Sequence, residues 1–244
     1  MMKRWSVSLL VAAVVAFGLV AQAGAAVIEV EGDAYVGVFD KYLWRGFDLS
    51  GGMPVAQAGA DLSTHGFTLG YWSNLQLKGD DGLPAGEITE TDIVVSYAHD
   101  FGDMLSVTVG DIWYQLEGIE DTNELFVNAT VNTLLAPTVS MYYDWDAAEE
   151  DGLFFTFDVS HSLELMDSLT LNMGALVSYN LHSDYSIGDY SGFHNVEASI
   201  SFDYALSDQF TISPSFVFST PICSGAKDAI DTETLGGVTL TFAF

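Results

Sequence analysis

The sequence predicts an all-β fold, a single up-and-down antiparallel transmembrane β-barrel of about twelve strands. Short segments alternate apolar and polar residues along most of the chain, as strands with two different faces do. Short turns and longer loops connect these segments in alternation, which is typical of barrels that cross a membrane. The last segment ends on an aromatic residue, Phe244.

The N-terminus has the pattern of a secretory signal peptide. Lys3 and Arg4 precede an apolar run, and the small residues at 23–25 have the spacing of a cleavage site. We therefore expect residues 1–25 to be removed, which leaves 26–244 as one barrel domain. A retained membrane anchor is the alternative, but the apolar run is short for a span of about 20 residues.

The composition is strongly acidic. The chain has 6 Lys and Arg against 34 Asp and Glu, and loss of Lys3 and Arg4 would leave four basic residues and a formal charge of −30. Nucleic acid is therefore not an expected partner, because its phosphates are also negative. The single cysteine, Cys223, excludes an internal disulfide and is interpreted as an inert loop thiol.

The first half of the chain contains six segments with strand patterning. In the second of them, Ala58, Ala60 and Leu62 share one face and alternate with polar residues. Asp111 falls among apolar neighbours in the fifth, where we expect a bulge. The six predicted strands cover residues 34–42, 55–63, 67–77, 91–101, 106–116 and 124–133.

The second half of the chain continues the same alternation of apolar and polar residues. In the tenth segment, Val196, Ala198 and Ile200 alternate with polar residues, and Pro214 in the eleventh is interpreted as a second bulge. In the twelfth, an apolar face grows toward Phe244. This strand should pair with the first, because an open edge in lipid leaves backbone groups unsatisfied. The predicted strands are 138–145, 153–165, 169–180, 194–205, 210–219 and 234–244.

The connections alternate in length, and in an up-and-down barrel alternate connections lie at opposite ends. The short ones are 64–66, 102–103, 134–137, 166–168 and 207–209. The longer ones, rich in acids and glycine, are 46–53, 78–90, 117–123, 146–152, 181–193 and 220–233. Short turns at the periplasmic end and long loops outside are the arrangement of outer-membrane barrels.

A soluble lipocalin-like barrel would show the same alternation with its apolar face inside. Two features favour a barrel whose apolar face points outward to lipid. The polar faces carry Ser, Thr, Asn, Gly and a few Asp, whereas a water-facing exterior would carry charged residues freely. Twelve strands also enclose too wide an interior for apolar side chains, since about eight suffice. We expect interfacial aromatic girdles from Tyr42, Trp44, Trp72, Trp113, Trp145 and Tyr179.

The stretch Lys41-Tyr42-Leu43-Trp44-Arg45-Gly46, followed by Pro54, Gln57 and the strand to Leu77, is similar to the opening of the TorF-type porins. This family is also described as conserved hypothetical bacterial outer-membrane barrels. The resemblance covers residues 38–77. Beyond them it rests only on the regular alternation of strands and connections. It implies a signal-bearing single barrel in which the aromatic-Arg-Gly motif closes the first strand. It implies no catalytic residues.

Arg45 stands out in so acidic a chain. It could lie at the pore mouth or in the lumen, where its charge and the carboxylates opposite would produce an electric field across the pore. It could instead form a structural ion pair that holds the first loop against the wall, with Gly46 enabling the turn.

Six carboxylates fall on the polar face of the predicted strands. They could attract cations and repel anions, or belong to a solvated wall that tolerates any polar side chain. With Arg45 they are the predicted pore-lining set: Asp61, Asp92, Asp144, Asp158, Glu197 and Asp203.

No catalytic, metal or cofactor site is predicted. The five histidines lack the spacing of a transition-metal site. Ser160 and His161 are adjacent, so in a strand they face opposite ways and cannot pair directly. Loop acids could share divalent cations with lipopolysaccharide, but solvation is the simpler account. These acids are Asp80, Asp81, Glu149, Glu150 and Asp151.

These observations predict a bacterial outer-membrane porin for passive diffusion of small polar or cationic solutes, and not an enzyme. The alternatives are an outer-membrane hydrolase of lipid or peptide and a non-conducting surface barrel with acidic binding loops. The expected partners are outer-membrane lipid and lipopolysaccharide, small solutes, and the barrel-assembly machinery. The machinery is implied by the terminal Phe244, which resembles the assembly signal of bacterial outer-membrane barrels.

Overall fold

Twelve strands close into one antiparallel barrel in which each strand pairs with its neighbours in chain order. The computed structural model describes residues 29–79, 84–148 and 152–244, and the predicted signal peptide lies outside these ranges. The predicted fold class is confirmed. The barrel strands are β1 Glu31–Phe39, β4 Val55–Thr64, β5 Phe67–Gln76, β6 Ile88–Phe101, β7 Leu105–Leu116, β8 Thr122–Val131, β9 Thr138–Asp144, β10 Leu153–Met166, β11 Leu169–Leu181, β12 Ser191–Ala205, β13 Phe210–Pro221 and β14 Glu233–Ala243.

Three further elements lie in the connections. The strands β2 (Leu43–Trp44) and β3 (Phe47–Asp48) form a small hairpin between β1 and β4. The helix α1, Ser224–Ala229, lies between β13 and β14. No helix in the described ranges is long and apolar enough to span a bilayer.

The barrel is closed by pairing of its first and last strands. Val36 lies opposite Leu240, and Ala34 lies opposite Phe242. At the end of the ladder, Gly32 N donates to Phe244 O at 3.0 Å, and Phe244 N donates to Gly32 O at 2.9 Å. Closure leaves neither terminal strand with an open edge, as a spanning sheet requires.

The two predicted bulges are wrong. The ladders of β7 with both neighbours run through Asp111 without a register shift, and the ladder of β13 with β14 runs through Pro214. Asp111 fits because its Oδ1 accepts a hydrogen bond from Trp145 Nε1 at 2.9 Å, which compensates a carboxylate on the outer face. Register shifts occur elsewhere, for example between Val177 and Tyr179.

The apolar strand face points outward. Phe202, Phe216 and Phe244 are 38%, 47% and 55% exposed, so they do not gather in a central core. The most deeply buried side chains are largely polar and face inward: Gln76, Asn74, Asn180, Asn195, Ser178 and Ser219. This inside-out distribution is the one expected of a barrel surrounded by acyl chains.

The aromatic girdle prediction is correct only in part. Trp113 and Trp145 are exposed on the outer surface. Tyr42 is buried and its ring lies 5.4 Å from that of Trp72, on the inner face, and Trp44 also lies inside. These rings therefore shape the interior of the barrel.

Adjacent residues of β13 offer a matched test of which face meets lipid. Phe216→Lys should lower the free energy of unfolding in bilayers by about 2–4 kcal/mol, because a lysine near mid-depth on the lipid face is costly. Val217→Lys should cost less, because Val217 faces a cavity shared with Asp158 and Glu197. Urea unfolding in liposomes measures both values. Equal costs would contradict the assignment of the faces.

Candidate functional site in the barrel interior

The first long connection turns into the barrel. We call it the strap, residues 40–54. Its hairpin β2–β3 is joined by the two-residue turn Arg45-Gly46, with φ of 49° and 86°. Positive φ at both positions is required by a type I′ turn. Gly46 suits this position because its φ of 86° is one that residues with a Cβ rarely adopt. The aromatic-Arg-Gly motif therefore forms the tip of the strap and does not close the first strand, which ends at Phe39.

Arg45 is held in the interior by a fork of two hydrogen bonds. Its Nη1 and Nη2 donate to Oε1 and Oε2 of Glu124 on β8, each at 2.8 Å. The two side chains are 9% and 2% exposed. Tyr114 Oη donates to the same carboxylate at 2.8 Å. Bidentate, charge-assisted pairing of this kind fixes both distance and orientation.

Three aromatic rings surround the guanidinium. The Cζ atom of Arg45 lies 4.4 Å from the ring centroid of Trp44, and 4.6 Å from those of Tyr142 and Phe154. Cation–π contacts of this kind gain strength in a desolvated site. The cation is therefore compensated by a carboxylate and by ring faces together.

The strap is tied to opposite walls. At its start, Lys41 forms an ion pair with Glu233 at the beginning of β14. Its tip is tied to β8, which lies six strands from β14 in either direction round the twelve-stranded barrel. The strap therefore crosses the interior. The hydrogen bond with Glu233 raises the pKa of Lys41, so this ammonium stays charged at neutral pH.

Other walls hold the strap between these points. His194 of β12 donates from Nε2 to the carbonyl of Arg45 at 2.8 Å, and its other ring nitrogen contacts Tyr190 Oη. Gln76 of β5 donates to the carbonyl of Ser50 at 3.2 Å. Within the strap, Ser50 Oγ accepts from Tyr42 N at 2.8 Å. The strap is thus fixed to four separate strands.

The strand registers place all six predicted carboxylates on the inward face. Asp158 and Glu197 line one cavity, and Asp92 lies opposite Tyr114. Arg45 contacts none of them as an ion-pair partner, since its carboxylate is Glu124. This arrangement matches the structural ion pair considered for Arg45.

The remaining carboxylates have polar partners or lie near one end. Asp144 accepts from Thr122 Oγ1 at 2.7 Å, and Asp203 accepts from Ser213 Oγ at 2.7 Å. Asp61 lies with Asp33 in a cavity of about 530 Å³ at the end of the barrel that carries the short turns.

The interior carboxylates that were missed from the sequence include Glu124 and Glu90. Glu124 begins the sixth predicted strand and alternates with Leu125, so the strand pattern itself could have identified it. Glu90 precedes the predicted start of the fourth strand, but the strand begins at Ile88, which brings Glu90 onto the inner face. Glu90 is 6% exposed.

The layer of Trp44, Arg45 and Tyr114 separates two cavities. The outer cavity, which we call the vestibule, has a volume of about 380 Å³ and lies toward the long loops, with Tyr185 among its lining residues. The inner cavity, of about 360 Å³, lies beyond the strap and is lined by Asp158 and Glu197. Both contain Trp44 and Tyr114, so the strap tip is their common boundary.

In the described ranges, no histidine is hydrogen-bonded to a serine, and no group of carboxylates, histidines or cysteines has the geometry to hold a metal ion. Cys223 caps α1, where its Sγ accepts from Ala226 N. The loop acids Asp80, Asp81, Glu149, Glu150 and Asp151 lie outside the described residues.

Residues 22–220 match a bacterial family described as "Bacterial protein of unknown function (Gcw_chp)". The chain belongs to this family. No curated protein matches it in sequence.

Two solved structures share the fold. The NanC porin, in a rhombohedral crystal form, is 13% identical, with a TM-score of 0.56 over 86% of this chain and 98% of that one. The KdgM porin, in complex with disordered oligogalacturonate, is 12% identical, with a TM-score of 0.53 over 87% and 99%. At such identity, the likeness concerns the barrel alone.

The Arg45–Glu124 pair should contribute strongly to stability. Arg45→Ala should lower the free energy of unfolding by about 3–5 kcal/mol, because it leaves a buried carboxylate unpaired. The double variant Arg45→Met with Glu124→Leu should lose less than the single variant, because no charge is then left buried. Denaturant unfolding in detergent measures both. A single-variant loss below about 1 kcal/mol would show that the pair does not hold the strap.

Proposed function

We propose that the chain is an outer-membrane channel that admits small polar or cationic solutes past a constriction formed by the strap. The observation that carries the proposal is the distribution of polarity: an apolar exterior surrounds an interior lined by carboxylates, with cavities on both sides of the strap tip. A closed barrel of twelve strands is wider than one filled by its own side chains, which favours a passage.

The charge of the interior favours cations. Arg45 is the basic side chain that reaches the interior layer, and it is neutralised by Glu124. Asp92, Asp158 and Glu197 remain without a basic partner among the described ion pairs. Rings and clusters of carboxylates in a pore attract cations and repel anions.

The fold fits this proposal. Two porins share the barrel architecture, and the 38–77 stretch resembles the TorF-type porins, so we propose porin function for this chain as well. The KdgM porin was captured with oligogalacturonate, which is a polyanion. Such a ligand would be repelled by the interior described above, so we propose a different solute class for this chain.

The location and partners belong to the same proposal. An apolar exterior requires lipid, and the long acidic loops would face lipopolysaccharide on the cell surface. The C-terminal Phe244, 55% exposed beside Phe242, is offered to the barrel-assembly machinery before it pairs with β1.

A second candidate is a non-conducting surface barrel. It is favoured by the strap itself, because the tip residues fill the space between the two cavities. Conductance separates this candidate from the channel.

Recording in planar lipid bilayers tests the proposal. The protein, purified from outer membranes, should give discrete current steps, and a salt gradient should give a reversal potential of cation-preferring sign. Asp158→Asn with Glu197→Gln should reduce that preference, because it removes two carboxylates from the inner cavity. Asp103→Asn, in the short turn after β6, is the matched control and should leave the preference unchanged.

Absence of current steps would reject the channel in favour of the non-conducting barrel. Steps with anion preference would reject the role assigned to the carboxylates.

A further inference from the structure

The vestibule combines aromatic walls with unbalanced negative charge. Trp44 and Tyr114 contribute rings from the strap and the wall, and Tyr185 contributes a ring from the outer loops. Leu116 and Ile119 add aliphatic surface. At about 380 Å³, the cavity is within the range of small-molecule sites, roughly 300–1,000 Å³. An apolar body of modest size would therefore be well covered there.

The carboxylates of the vestibule outnumber its cations. Glu90, Glu124 and Asp144 line it, whereas Arg45, the partner of Glu124, lines the inner cavity. Asp144 is satisfied by Thr122 and by backbone N–H groups. Glu90, which is 6% exposed, is hydrogen-bonded to Tyr42 and to Asp92 and has no basic partner among the described ion pairs. This pair of acidic side chains is therefore where a ligand could supply a balancing positive charge.

The neighbouring carboxylate of Asp92 supports a positively charged ligand as well. Asp92 lies two residues from Glu90 on the same face of β6 and is hydrogen-bonded to it, while its Oδ1 is buried with no hydrogen-bond partner in the described ranges. A buried carboxylate oxygen without a donor is costly. A positively charged group close to Glu90 would offset this cost.

The outer loops can close the cavity. Tyr185 Oη donates to the carbonyl of Glu120, which joins the loop after β11 to the loop after β7. Tyr185 and Ile119 thus form a roof over a floor made by Trp44 of the strap. Aromatic walls combined with carboxylates are the usual means of recognising alkylated ammonium groups.

We propose that the vestibule is a selective binding site for a small organic cation, an ammonium group carried on an aromatic or branched alkyl body. The inference rests on the proposed channel function, because it assigns the class of solute that the same interior selects. The ammonium group binds near Glu90, and the apolar body packs on Trp44, Tyr114 and Tyr185.

Equilibrium dialysis of the full protein in detergent micelles tests this without any current measurement. Benzyltrimethylammonium is the probe, and benzenesulfonate is its anionic counterpart of similar shape. The cation should bind saturably, above its partition into protein-free micelles, and the sulfonate should not. Glu90→Gln should weaken binding about tenfold, the effect expected from losing one partly buried charge contact.

Two further variants keep the test decisive. Tyr185→Ala changes only an outer loop, so the barrel should still fold, and it should weaken binding severalfold by removing the roof ring. Asp103→Asn removes one negative charge at the opposite end and should leave binding unchanged. Far-UV circular dichroism confirms the fold of each variant.

Equal binding of both probes, no binding of either, or unchanged binding by Glu90→Gln and Tyr185→Ala would overturn the site. A protein that binds the cation but carries no current would reject the channel and leave the site standing. A protein that conducts cations but does not bind the probe would reject the site and leave the channel standing.

Discussion

The pairing of Arg45 with Glu124 is the interaction on which the interior of this barrel depends. A lone guanidinium among aromatic rings would be too costly to keep out of water. The two 2.8 Å hydrogen bonds to one carboxylate make that position favourable and set the height of the strap tip. The positive φ of Arg45, unusual for a residue other than glycine, is tolerated because these contacts fix its side chain.

The barrel wall and the strap have different structural roles. The wall satisfies its backbone groups by closure and presents apolar side chains on its outer surface. The strap occupies an interior that twelve strands leave too wide to be filled by wall residues. Because its ion pairs with Glu233 and Glu124 lie on opposite walls, it divides the interior into a vestibule with aromatic walls and an inner cavity with carboxylates.

The wall was predictable from the sequence because strand period and lipid exposure act on each residue locally. Alternation placed Ile200 and Glu197 on opposite faces, and the apolar run to Phe244 correctly identified the closing strand. The strap was not predicted, because a long connection in sequence does not show whether it folds outward or inward. The Arg45-Gly46 pair between Trp44 and Phe47 was the available signal of a hairpin turn.

The partner of Arg45 could not be predicted from the local sequence pattern either. Glu124 lies 79 residues away, and only the twelve-stranded closure brings β8 to the strap tip. The orientation of the aromatic residues was ambiguous for the same reason. Trp145 follows the end of β9 and faces outward, whereas Trp72 lies in the middle of β5 and faces inward.

The most direct measurement is the single-channel conductance of a variant in which residues 43–48 are replaced by a glycine-serine segment of equal length. If the strap tip fills the passage, this variant should conduct severalfold more than the unaltered protein and should still prefer cations, because the wall carboxylates remain. A conductance equal to that of the unaltered protein would contradict a strap that crosses and narrows the interior.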